Sequence, residues 1–376
     1  MAKPDEAGDE HPGPINMWVA DPDFRTDPKI VAAFDYAVER GCTHYFPAPG
    51  FDSHVLHRAV AQYYLDDMGV IVDPLSEVCP THGAQEGLSL AIQTCTRPGD
   101  EVLVAEPTYA ALIEKLGTFS LKPVFVPLLE REHWRLDVDA LRSAVSDKTR
   151  MLYLCDPNNP TGTVCTRAEL DAVSDLLKEN RRVSLLLDEC YARILYDGAA
   201  HHTLLDDAAL RNQVYVVSSF SKAFAMTGWR LGYLVTGKES AERIRKLSEE
   251  YNGGVSYAVQ YAGAAALTQC PGSVRAMVEE LNRRRRAMVE GLADIEGVSF
   301  ETPKAGFEVF PDFSAVCRDS ALLASDLEKS GVKTMAGVKY GPSGEGHIRL
   351  VFCAEGVPRI REGLSRISRH LDGRRG

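Results

Sequence analysis

Five short, almost unbroken apolar runs, each set apart from the next by a longer amphipathic stretch, constrain the fold of this chain most. They are Glu101–Ala105 (EVLVA), Met151–Cys155 (MLYLC), Val183–Leu187 (VSLLL), Val214–Val217 (VYVV) and Leu231–Val235 (LGYLV). A strand with one wet face alternates polar and apolar residues, so strands without that alternation must be covered on both faces. A mostly parallel sheet between two helical layers meets that demand. The intervening stretches read as helices, among them Ala84–Thr94, which follows a glycine, and Arg167–Asn180, with Thr166 as N-cap. This alternation predicts an α/β fold, a three-layer sandwich around a mostly parallel central sheet. Beyond residue 270 the pattern changes to a long charged helix, Val274–Leu292, then short strands and a final helix over Val357–Leu371. The expected organisation is an N-terminal segment (1–44) lying against a small lobe, a large α/β domain (45–270) and a small α+β domain (271–376).

Charge and composition exclude several classes of function. Lys plus Arg number 42 against 53 Asp plus Glu, a net charge of −11. A surface that neutralises nucleic-acid phosphates must be basic, so no nucleic-acid partner is expected. No apolar run approaches the ~20 residues that span a bilayer, so no membrane partner is expected either. Met1–Pro14 is polar and acidic, without the basic start and apolar stretch of a signal peptide. Nine cysteines, scattered without a CxxC pair, read as reduced thiols of a cytoplasmic protein. Arg283–Arg286 reads as a solvated helix face beside Glu279 and Glu280, and His201 and His202 as an exposed loop. His54 and His57 could share a helix face, but no third ligand type is near in sequence, so no metal is expected. The chain has neither a GKS/GKT phosphate loop nor a GxGxxG after a strand.

The densest chemistry lies in Ser218–Tyr233, SSFSKAFAMTGWRLGY. Lys222 follows Ser219 and Ser221, and Arg230 stands eight residues later between Gly228 and Gly232. Two hydroxyls and a guanidinium after a buried strand suit a phosphate dianion, and burial would bias the amine towards its neutral, nucleophilic form. The plainer alternative is a helix start with a solvated Lys and Arg.

This stretch resembles the pyridoxal-phosphate lysine signature of the class I/II aminotransferases, the aspartate-aminotransferase-like family of fold type I. The likeness extends in order through five further motifs: THGAQEGL (Thr81–Leu88), EPTY (Glu106–Tyr109), DPNNPTG (Asp156–Gly162), DECY (Asp188–Tyr191) and HIRLVF (His347–Phe352). The resemblance implies pyridoxal 5'-phosphate as cofactor, held by Lys222 as a Schiff base. It implies Gly83, Ala84, Gln85, Ser219, Ser221 and Arg230 around the phosphate, and Tyr109 stacked on the pyridine ring. It further implies Asp188 on the ring nitrogen, with Tyr191 and Asn159 at the phenolic oxygen. Asn159 and Arg349 would take the substrate carboxylate. YFPAPG (Tyr45–Gly50) resembles the segment whose tyrosine reaches a neighbouring subunit's phosphate, which implies a homodimer with shared sites. MWVADPDF (Met17–Phe24) sits where the family's entrance segment passes the substrate, with Ala20 at a position usually held by glycine.

Read singly, Asp188 could be a helix cap and Tyr109 a core tyrosine. MWVADPDF looks more like the entrance segment of the cystathionine β-lyase-like branch, whereas the arginine-bearing phosphate segment looks like aminotransferases proper. Glu308 of AGFEVFP occupies a position where related sequences tend to be apolar; a solvent-facing carboxylate is expected there, ahead of a contact to a basic substrate. His82, Trp134 and Lys339 are further pocket candidates. The expected activity is amino transfer between an α-amino acid and a 2-oxo acid. A C–S lyase, cyclase or oxidase on the same fold is the alternative, and a non-catalytic binding protein the reading from outside the class.

Overall fold

The computed structural model describes residues 13–375; the polar N-terminal stretch read above for signal character lies largely outside them. The five apolar runs are strands of one seven-stranded sheet. Its order is Val78–Thr81, Gly232–Val235, Val214–Ser219, Ser184–Asp188, Thr149–Cys155, Glu101–Glu106, Lys122–Pro127. Gly232–Val235 runs antiparallel to both of its neighbours, and every other pairing is parallel.

Alternate side chains of the central strands enter different cores. Val102, Val104, Met151, Tyr153, Leu186, Tyr215 and Val217 face the helices Gly83–Cys95, Ala110–Thr118 and Lys238–Asn252. Leu103, Leu152, Leu154, Leu185, Leu187, Val214 and Val216 face a layer that includes Val55–Met68, Val138–Ala144, Arg167–Glu179 and Tyr257–Gln269. Burying each such side chain contributes about 1.5–3 kcal/mol, so every second residue would destabilise the fold if either layer were missing. Two strands escape the sequence reading. Val78–Thr81 is short and contains Pro80, while Lys122–Pro127 is an edge strand with exposed Lys122, Pro123 and Pro127.

Helix Arg167–Glu179 begins where its sequence places it. Thr166 accepts from the Glu169 amide at 3.3 Å, and Glu169 accepts from the Thr166 amide at 2.8 Å. Thr166→Ala should therefore lower stability by about 1 kcal/mol in denaturant unfolding. An unchanged midpoint would show that Glu169, which also accepts from the Leu136 amide, holds the helix start alone.

Past residue 270, helix Pro271–Ala293 leads to a three-stranded antiparallel sheet of Met335–Ala336, Ile348–Val351 and Glu308–Val309, and helix Val357–Arg375 follows. Ile15–Asn16 pairs in parallel with Val332–Lys333, while helix Pro28–Glu39 packs on Tyr257–Gln269, so the N-terminal segment touches both parts. The arginine run is a solvated face only at Arg283 and Arg286. Arg284 and Arg285 are buried and tie the long helix to Asp23 and Asp197, Arg285 bidentately at 2.8 and 2.9 Å. All nine cysteines are free thiols. No helix among the described residues is long and apolar enough to cross a membrane.

Candidate active site

Parallel strands all end on one edge of a sheet, and loops leaving that edge can converge. Here that edge carries Asn159 after Thr149–Cys155, Asp188 at the end of its strand, and Lys222 after Val214–Ser219.

Ser219, Gly232 and Thr81 lie side by side across three strands, which brings the Ser219 loop to the start of helix Gly83–Cys95. Ser219 donates its hydroxyl hydrogen to Ser221 Oγ at 2.8 Å and accepts from the Ser221 amide at 3.0 Å. Gly83 has φ +71°, and a Cβ there would lie 2.9 Å from the Arg230 guanidinium. Glycine is thus favoured by the backbone conformation, and a larger residue would displace the end of the arginine. Gly83, Ala84 and Gln85 form the helix's first turn, whose amides have no partner within the helix. Gln85 Nε2 donates to the Tyr109 hydroxyl at 2.8 Å. Two hydroxyls, a guanidinium and a helix N-terminus together make a dianion cradle.

Asp188 is buried, accepting from Tyr153 OH at 3.3 Å and from the Cys190 amide at 3.1 Å. No cation pairs with it among the described residues. Burial, its largest influence, raises its pKa, and the neighbouring Glu189 charge adds to the rise. Such a carboxylate suits a protonated ring nitrogen. Lys222 Nζ donates to the Ala20 carbonyl at 2.6 Å and stands 5.7 Å from the Phe307 ring centre. Burial pushes the Cys190 and Cys353 thiols up, and the Lys222 charge opposes that at both.

Arg349 comes from the small sheet. Its guanidinium donates to the Trp18 carbonyl and, at 3.5 Å, to Asn159 Oδ1, while its buried Nε has no partner. A buried guanidinium with an unfilled N–H suits a carboxylate ligand. The Asn159 loop is held to the small lobe through Gly162, whose carbonyl accepts from the Lys304 and Ala305 amides at 2.8 and 2.9 Å. A Cβ at Gly162, with φ +70°, would lie 2.4 Å from Pro303 Cβ.

Tyr191 is buried with its hydroxyl on Glu308. Glu308 itself is 0% exposed, correcting the expectation of a solvent-facing carboxylate: Oε1 accepts from Tyr191 and Oε2 from the Phe307 amide at 3.0 Å. Both faces of its strand are covered, so alternation could not have revealed this. His201 is likewise no exposed-loop residue; its side chain is buried. Of the further pocket candidates, His82 caps the Gly83 helix and pairs with Glu86 at 3.0 Å, Trp134 packs edge-on against His347, and Lys339 is exposed. Tyr45 is not brought to the cluster within one chain. It is 85% exposed, beside Phe46 at 79%, on an open groove of about 1130 Å³ that His82 also lines.

Comparison with known proteins identifies the family. Residues 12–367 match the family described as aminotransferase class I and II. The chain is 33% identical to an aspartate aminotransferase of Pyrococcus horikoshii, over 96% of this chain and 91% of that one. It is 30% identical to an aromatic-amino-acid aminotransferase of Thermococcus litoralis, over 96% and 92%. The solved aromatic aminotransferase of Pyrococcus horikoshii superposes with a TM-score of 0.90 at 30% identity, covering 96% of both chains.

Proposed function

Since the chain belongs to the class I and II aminotransferase family and is therefore a pyridoxal-phosphate-dependent aminotransferase, we propose that it exchanges an amino group between an α-amino acid and a 2-oxo acid at the cluster around Lys222. The observation that carries this reading is a pair of unmet charges near one lysine: among the described residues no cation pairs with Asp188, and Arg349 has an unfilled N–H. These residues fit the cofactor.

Ser219, Ser221, Arg230 and the first turn at Gly83, Ala84 and Gln85 would hold its phosphate. Tyr109 would meet the ring, Asp188 would keep a proton on the ring nitrogen, and Asn159 and Tyr191 would serve the phenolic oxygen. When bound, pyridoxal phosphate supplies a conjugated ring that accepts the electron pair left at the substrate's α-carbon. Arg349 and Asn159 fork onto the α-carboxylate and fix the α-carbon before Lys222 Nζ, with Ala20 at the entrance. The lysine amine, held in place by the Ala20 carbonyl, then takes the α-carbon proton and later returns it, as general base and acid. Residues 45–270 form the cofactor-binding unit, and 271–376 the lobe that brings Arg349 to it.

Amino acids offered singly to the purified holoenzyme should each yield the corresponding 2-oxo acid, and a second 2-oxo acid should restore the starting cofactor spectrum. Pyruvate with ammonia from a cysteine conjugate, or oxygen uptake, would instead assign a lyase or an oxidase.

The working form in this reading is a homodimer in which Tyr45 reaches the partner's phosphate, which its exposure in the single chain supports. Tyr45→Phe should weaken cofactor binding by about 1.5–3 kcal/mol without dissociating the dimer. Tyr45→Arg and Lys222→Ala, each inactive alone, should regain activity when mixed, because one mixed site takes both residues from unmutated chains. An active monomer in sedimentation, or no recovery despite proven subunit exchange, refutes the shared site.

A further inference from the structure

His201 lies outside the residues assigned above, yet it joins two of the loops that carry them. Its side chain is 2% exposed, and the two carboxylates flanking it, Asp156 and Glu189, are each 1% exposed. Nδ1 stands 3.2 Å from Asp156 Oδ2, and Nε2 stands 3.4 Å from Glu189 Oε1, an ion-pair contact outside hydrogen-bond geometry. Each carboxylate has one further tie: Asp156 Oδ1 accepts from the Cys165 amide at 2.7 Å, and Glu189 Oε2 from Tyr64 OH at 3.1 Å. Two buried carboxylates this close to one imidazole favour its charged form, because a buried negative charge without a partner is costly.

Position gives the cluster its meaning. Asp156 opens the loop to Asn159, and its amide donates to the Asp188 carbonyl at 3.0 Å. Glu189 follows Asp188 directly, and its amide donates to the Val217 carbonyl at 2.8 Å, on the strand that leads to Lys222. We infer that His201, as an imidazolium between Asp156 and Glu189, is a positioning residue: it clasps the Asn159 and Asp188 loops together and offsets the Glu189 charge that would otherwise oppose ionisation of Asp188. Burial alone would drive the His201 pKa down; the Glu189 and Asp156 charges override it and hold it at about 10, against an ordinary 6.5. The clasp therefore stabilises the fold fully below pH 6.5 and loses that contribution as pH rises through about 10. The catalytic consequence rests on the role proposed for Asp188; the charge state does not.

Nitrogen-15 spectra of the cofactor-free wild-type protein, labelled at histidine, should show both His201 nitrogens protonated at pH 8. A neutral ring at that pH overturns the clasp, whatever the fate of the Asp188 assignment. In the holoenzyme, His201→Gln should lower kcat roughly ten- to hundred-fold with KM changed less than about three-fold. The acid limb of its kcat profile should move up by about one pH unit, because Asp188 then faces Glu189 uncompensated. Adding Glu189→Gln to His201→Gln should return that limb to the wild-type position, and this pair also serves if the single variant folds poorly. A charged His201 with no change in the kcat profile on substitution would reduce the residue to a structural tie and overturn its positioning role.

Discussion

Lys222→Ala should abolish turnover, by more than about ten-thousand-fold, while the protein still folds. Proton transfer by a positioned group alone supplies roughly 10²–10⁴ in rate, and loss of covalent attachment adds to that. The side chain donates only to the Ala20 carbonyl and borders Phe307, so its removal leaves both cores and all seven strands untouched. Cofactor should still bind through Ser219, Ser221, Arg230 and the Gly83 turn, but it should leave on dialysis. Steady-state assays with circular dichroism and a dialysis balance test this, and a folded variant with full activity would remove Lys222 from the mechanism.

Asp188→Ala should reduce kcat by more than the about ten- to hundred-fold that losing one buried, charge-assisted contact represents, because the ring nitrogen also loses its proton near neutral pH. Apparent substrate affinity should change far less, since Arg349 and Asn159 remain. The wild-type carboxylate has its pKa raised by burial. Its affinity for the cationic ring should therefore begin to fall, as pH is lowered, earlier than an ordinary carboxylate would dictate. Cofactor dissociation constants measured against pH should show that early acid loss in the wild type and not in Asp188→Ala. Equal kcat in the two proteins would leave Asp188 as a loop-bracing residue only.

The central sheet was legible because its strands are covered on both faces and leave unbroken apolar runs in the sequence. Its rims were not: Val78–Thr81 and Lys122–Pro127 carry prolines that interrupt such runs. Motifs within a few residues of one another, such as Ser219, Ser221 and Lys222, show in sequence because one turn sets their spacing. Contacts made by chain reversal do not. Tyr191 meets Glu308 across 117 positions, Arg349 meets Asn159 across 190, and His201 meets Asp156 across 45. The same holds for Arg284 and Arg285, whose partners Asp23 and Asp197 lie 261 and 88 residues away. The two middle arginines of a run of four look solvated until the chain that covers them is in place.

The pairing of Ile15–Asn16 with Val332–Lys333 fixes an order in time. The segment that leads to the Ala20 carbonyl is made well before its strand partner, which follows 317 positions later. The Val351 amide, which donates to the Met17 carbonyl at 3.0 Å, emerges later still, just after Arg349. A nascent chain that has reached residue 300 can therefore already hold every strand of the large sheet and Lys222, yet it still lacks the partner of Ile15–Asn16 and lacks Arg349. Competence to react thus waits for the stretch from Val332 to Val351, which is made well after Lys222.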